Sequence, residues 1–162
     1  MPYLKPDKVS LHYGTHVLLD QINFAMRKDD LFAASARDLT PASVRHTARL
    51  LYAPVSNDPE VTKRCALVLS DTELQRAGRF ATQGDKDLFK QRRAFRRFCG
   101  ALALGSSQPL SQIDFEETEN GRPHLADLPD FWLSFSSCRF GFLGAWSSTH
   151  AIGVDLEDQT RN

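Results

Sequence analysis

The hydrophobic period of the chain changes from helical to strand-like near Gly105, and that change limits the fold more than any other feature. Upstream of it, Ser70 and Glu73 form a capping box, in which each side chain satisfies an orphan backbone donor at a helix start. This predicts a helix from about Asp71 to Phe80. After Gly84, the residues Leu88, Phe95, Phe98, Cys99 and Leu102 recur at spacings of three, four and seven, as one apolar stripe of a longer helix ending near Gly105. Downstream the grammar is that of strands. Ile113 and Phe115 alternate, Asn120-Gly121 marks a turn, and strands are expected over Phe131 to Ser136, Phe140 to Ser147 and Ala151 to Glu157. The last two are joined by a tight polar connection through Ser148 and Thr149. Ahead of the helices, Arg49 to Val55 reads as a strand stopped by Pro54, and Asp58 to Leu69 as helical. The expected class is α+β, with helices packed on an antiparallel or mixed sheet.

Length allows one such domain. A chain of 162 residues with 41% hydrophobic and 25% charged side chains is ordinary for a globular protein. It can bury roughly 70% of the surface its unfolded form exposes, and needs no disulfide or metal staple merely to fold. Cys65, Cys99 and Cys138 make an odd count with no zinc-like spacing, so reduced structural thiols are expected. No apolar run approaches the roughly 20 residues of a membrane span, and Lys5, Asp7 and Lys8 precede any apolar stretch at the N-terminus. The expectation is a cytoplasmic protein without a membrane partner. Residues 1–46 read as an N-terminal extension of uncertain origin and 47–162 as the domain proper.

Twenty basic side chains balance twenty acidic ones, so any polyanion site must come from local clustering. Such a cluster lies between Arg76 and Arg97, where eight basic side chains face only Asp85 and Asp87. Arg92 and Arg96 stand one helical turn apart and can grip phosphate oxygens together. Nucleic acid is not the expected ligand, because no RNP motif, GXXG loop or aromatic stacking platform accompanies these arginines. On the last strand, Asp155 and Glu157 alternate with Val154 and Leu156, which sets two carboxylates on one face about 6.5 Å apart along the backbone. Hard oxygen ligands of this kind suit Mg2+. Taken singly, a basic run is more often a solvated helix face, and an Asp-x-Glu a solvated strand face. Together with the turn Gly121-Arg122-Pro123 and the hydroxyls that follow Leu133, they match what a metal-bridged nucleotide diphosphate requires. The five histidines show no ligand spacing, and Trp132 and Trp146 are expected to pack the sheet.

In order and spacing these residues resemble the 4'-phosphopantetheinyl transferase superfamily, specifically the N-terminal half of its larger, pseudo-dimeric type. The likeness runs from about Leu50 to Glu157. It comprises Leu69-Ser70 with Glu73, Arg76 and Arg79-Phe80, then Asp85, Phe89, Arg92 and Arg96. Gly121-Arg122-Pro123 with Leu125, Leu133-Ser134 with Ser136, and the most specific element, Ile152-Gly153-Val154-Asp155-Leu156-Glu157, complete it. The resemblance implies half of a pseudo-dimeric fold and a Mg2+-dependent reaction. The 4'-phosphopantetheine arm of coenzyme A passes to a serine of an acyl or peptidyl carrier protein, releasing 3',5'-ADP. It further implies that Asp155 and Glu157 hold the metal, that Arg76, Arg79 and Arg92 meet phosphates, that Gly121, Arg122 and Pro123 line the nucleotide, and that Ser134 donates to phosphate.

The chain departs from that pattern. Where the family usually has a histidine that contacts coenzyme A phosphate, Phe135 offers neither donor nor charge. The sequence stops at Asn162, so the family's second half, with its glutamate and lysine, is expected to come from a complementary chain or from self-association. The alternative reading is a non-catalytic module that binds coenzyme A or a carrier protein. Residues 7–31, with Val9-Ser10-Leu11-His12-Tyr13-Gly14 and Leu18-Leu19-Asp20, resemble the opening strands of an ATP-binding cassette domain, either as chance alternation or as a fused fragment. No GxxxxGK[ST] loop follows them. The purified chain is therefore expected to release no phosphate from ATP above background; turnover of about one per second or faster would contradict this.

Overall fold

The computed structural model describes residues 8–13, 16–19, 37–40, 47–105, 108–128 and 130–157. In chain order these form β1 (Lys8–Tyr13), β2 (His16–Leu19), β3 (Arg37–Asp38), β4 (Ala48–Pro54), α1 (Pro59–Ala66), α2 (Asp71–Gly78) and α3 (Gln83–Leu104). A 3-10 turn at Leu110–Gln112 leads to β5 (Phe115–Glu117), β6 (Pro123–Leu125), β7 (Trp132–Cys138), β8 (Gly141–Ser147) and β9 (Ile152–Glu157). The class is α+β, and every ladder between these strands is antiparallel.

Side-chain caps set where the helices begin. Asp58 accepts from Glu60 N at 2.9 Å ahead of Pro59, whose fixed φ suits a first helical position. Ser70 and Glu73 close the expected capping box, with Glu73 N donating to Ser70 Oγ and Ser70 N donating to Glu73 Oε2 at 3.0 Å. Thr82 caps α3 through Asp85 N, and Gly105, at φ +58°, ends it in the left-handed region that glycine enters without steric cost.

The central sheet runs β3-β4-β8-β7. Its middle strand β8 is buried along its whole length because both faces are covered. On one face Leu51, Ala53, Leu133, Phe142 and Trp146 pack against the helices. On the other, Leu50, Tyr52, Leu143 and Ala145 pack against Ile152 and Leu156 of β9. That strand belongs to a second sheet, β2-β1-β9, in which Lys8 to Tyr13 pair with Glu157 back to Ile152. β1 therefore lies along the strand that carries the two carboxylates. The cassette-like stretch that begins the chain is described only over β1 and β2.

Helix α3 differs from the expected single stripe. Phe95 and Cys99 are fully buried, whereas Leu102 is 47% exposed. Phe89, Gln91, Ala94 and Gly100 are buried instead, because the helix changes neighbours along its length. Phe89 meets Phe80 at the end of α2, Phe95 stacks 5.7 Å from Phe142 of the sheet, and Gly100 meets the β5–β6 hairpin. Gln91 is buried because it is satisfied: its side chain accepts from Ser56 N and donates to Ser56 O and to Thr62 Oγ1. Ile113, expected to open a strand, instead ends the 3-10 turn and is buried beneath α3; β5 begins two residues later.

A Cβ at Gly100 would lie 2.7 Å from Ile113 and 3.0 Å from both Leu125 and Phe115. Glycine in a helix interior ordinarily costs about 1 kcal/mol relative to alanine, but overpacking costs about 1 to 3 kcal/mol. Gly100→Ala is therefore expected to lower stability in denaturant titration. Gly78→Ala, on an exposed helix position with nothing near the new methyl group, is expected to raise it. Stabilisation by both substitutions would contradict the close packing of α3.

Candidate functional site

Helices α2 and α3 pack side by side, and their facing arginines divide into two groups by partner. Arg97, counted in the sequence as one more charge on a basic face, is 6% exposed. Its Nη1 donates to the carbonyls of Ile113 at 2.6 Å, Ser111 at 3.2 Å and Leu110 at 3.3 Å, and its Nη2 to Glu73 Oε2 at 2.8 Å. Arg97 therefore holds the fold together. Burial alone would raise the Glu73 carboxyl, but hydrogen bonds from Arg97 and from Ser70 N outweigh it and hold the group below the usual range. Arg93 stands 3.9 Å from the same carboxylate, within ion-pair distance but beyond a hydrogen bond.

Arg76, Arg92 and Arg96 have no carboxylate at ion-pair distance among the described residues. Phe89 collects three guanidinium groups at 5.3 to 5.7 Å from its ring centroid, those of Arg93, Arg92 and Arg76. Arg96 lies 5.2 Å over Phe135. Burial, and after it the neighbouring charges of Arg93 and Arg92, push Arg96 down to about 10. Burial and the charges of Arg93 and Arg76 act on Arg92 in the same direction.

The arginines expected to meet phosphate lie in two clefts. Arg76 and Arg79 line one with Thr72, Gln75 and Phe80 at the end of α2. Arg92 lines a second at the edge of the central sheet, with Arg96, Phe135, Ser136 and Ser137. Arg96 stands where its one-turn spacing from Arg92 put it, and Ser136 two residues past Ser134; Ser137 was not singled out in the sequence.

On the far face of β7, Ser134 and Ser136 support β9. Val154 N donates to Ser134 Oγ at 3.1 Å and Leu156 N to Ser136 Oγ at 3.0 Å. Ser134 thus has a structural bond, while its own hydroxyl proton can still be donated. Ser136 donates to Asp155 Oδ1 at 3.1 Å. Asp155 and Glu157 are both exposed on one face of β9, as their alternation requires, while Ile152 and Leu156 are buried on the other. Two exposed carboxylates, one oriented by a hydroxyl, fit Mg2+, which takes one or two protein carboxylates and completes its shell with water and phosphate. Among the described residues no group of three or more His, Cys, Asp and Glu converges, as a closed metal cage would need.

The turn at Gly121 has φ +74°, with Gly121 N donating to Thr118 O at 2.7 Å and Arg122 N to Thr118 Oγ1 at 3.1 Å. The Arg122 guanidinium stacks 3.9 Å from the Trp132 ring, which fixes the turn against the start of β7. Pro123 opens β6. Trp146 is in the core as expected, while Trp132 is half-buried beneath this guanidinium. Cys65, Cys99 and Cys138 are free thiols. No helix among the described residues is long and apolar enough to cross a membrane. In comparisons with known protein families and with curated proteins, nothing matches this chain.

Glu73→Gln keeps a residue that can close the capping box but removes the charge opposite Arg97. It is expected to cost about 1 to 3 kcal/mol at pH 7. The Glu73 carboxyl is depressed in the fold, so its contribution is present above the ordinary value of 4.5 and is lost as pH falls through the lower folded value. Denaturant titrations at pH 7 and pH 3 should show the deficit shrinking in acid. An equal deficit at both would contradict an ionised Glu73 in this pair.

Proposed function

We propose that this chain provides the coenzyme A-binding half of a 4'-phosphopantetheinyl transferase acting on a carrier-protein serine in the cytoplasm. The observation that carries the reading is the position of Ser136. It lines the cleft that contains Arg92 and Arg96, and its hydroxyl donates to Asp155, so the two arginines and this carboxylate are linked through one residue. A pyrophosphate bridging them would find cations on one side and a divalent ion on the other, the arrangement that phosphoryl transfer requires.

In this reading Asp155 and Glu157 would hold Mg2+, which would offset the charge that develops on the leaving phosphate. Arg92 donates to the pyrophosphate in forked geometry, and Arg76 and Arg79 bind a phosphate at the end of α2. Gly121 and Pro123 line the nucleotide, with Arg122 held on Trp132. Ser134, fixed by Val154 N, donates its hydroxyl proton to a phosphate oxygen. Transfer further calls on the glutamate and lysine that the resemblance assigns to the family's second half. Three free thiols accord with a reducing compartment.

A second reading, binding of coenzyme A or of a carrier protein without transfer, is favoured by Phe135, which stands where the family's phosphate-contacting histidine is expected. Calorimetric titration of coenzyme A, with and without Mg2+, tests the shared premise. Binding is expected to require Mg2+ and to weaken at least tenfold in Asp155→Ala. No binding at millimolar ligand would overturn the transferase reading and leave, of the second, carrier-protein binding only. Transfer to a carrier protein, followed by its mass increase, separates the two.

A further inference from the structure

Spacing pairs Arg96 with Arg92 as a grip on phosphate, the resemblance assigns it no contact, and its surroundings are those of an anion site. It is largely withdrawn from solvent, and among the described residues its Nε meets no acceptor and no carboxylate stands at ion-pair distance. Glu73 and Glu117 reach it only as longer-range charges, and Glu73 is already bonded to Arg97. Arg92, one turn before it, lines the same cleft and is repelled by Arg93 and Arg76. Partly buried like charges that repel one another cost stability unless an opposite charge completes them.

The geometry supplies what such an anion would need. Phe135 lies beneath the Arg96 guanidinium and restrains its plane, so forked donors can face the cleft with less conformational freedom to lose on binding. Ser137 follows on the same face of β7 as Phe135 and also lines the cleft. Ser136, at the same edge, connects it to Asp155.

We propose that Arg96, braced on Phe135, forms with Arg92 and Ser137 a seat for a phosphate-type oxyanion, and that Arg96 is a binding residue of the candidate site. The ligand's identity as coenzyme A rests on the preceding reading, whereas the seat itself rests on this arginine geometry alone. Phe135 acts in it as the platform of the cation that contacts the anion.

The test is titration of inorganic pyrophosphate into the full chain at fixed ionic strength, read by calorimetry and by the thermal midpoint. Pyrophosphate is expected to bind and to raise the midpoint more than chloride at equal ionic strength. Arg96→Gln is expected to weaken that binding at least tenfold while the anion-free protein stays folded. Arg96→Lys, which keeps the charge but loses the fork, should weaken it several-fold and serves if the glutamine variant does not fold. Arg64→Gln, on the exposed side of α1, should change nothing. Pyrophosphate binding within twofold of the parent in both Arg96 variants, or no binding by the parent, would overturn the seat. Coenzyme A binding that needs Mg2+ and Asp155, beside pyrophosphate binding that ignores Arg96, would overturn the seat and leave the transferase reading intact. Arg96-dependent pyrophosphate binding without coenzyme A binding would support the seat and overturn that reading.

Discussion

One guanidinium joins three parts of this chain. Arg97 projects from α3, closes on the capping carboxylate of α2, and takes up three carbonyls around the 3-10 turn that leads into β5. An ion pair this buried is tolerated because hydrogen bonds meet both charges. Its consequence for the site is a matter of supply. Glu73, 3.9 Å from Arg93, is bonded to Arg97, so among the described residues Arg76, Arg92 and Arg96 have no carboxylate at ion-pair distance, and Arg92 is left beside the like charges of Arg93 and Arg76.

The second constraint is the coverage of the central sheet on both faces. β8 is buried throughout, the helices cover one side, and β9 covers the other. β7 is the edge strand where these two sides meet. Its alternation turns Phe135 and Ser137 toward the arginines, and Ser134 and Ser136 toward β9. Through Ser136 the carboxylate of Asp155 is linked to a cleft lined by α3, β7 and β8. The cluster and the acids are separated in sequence by the whole hairpin region, and this edge strand is what joins them.

The local grammar of the chain was largely legible. The capping box at Ser70, the stop at Gly105, the turn at Gly121 and the last three strands fall within a residue or two of expectation, because each depends on neighbours in sequence. The facing of Asp155 and Glu157 followed from period two alone. Less legible was the buried face of α3. Its apolar stripe pointed to Leu102, yet Leu102 is nearly half exposed, while Gln91 is buried. Periodicity reads one face of an idealised helix; α3 meets another helix, the sheet and a hairpin in turn, and Gln91 is admitted because backbone groups of Ser56 satisfy it.

The residue types from which a phosphate and metal site could be made, and the strand and helix on which each would lie, are fixed by composition and spacing. Which arginine braces the fold and which faces the cleft is not, since Arg92, Arg93, Arg96 and Arg97 are the same residue within six positions. That assignment rests on what lies opposite each one: a carboxylate and three carbonyls for Arg97, and an aromatic ring for Arg96. Those partners come from remote parts of the chain, and only packing brings them within the few ångströms over which hydrogen bonds and cation–π contacts act.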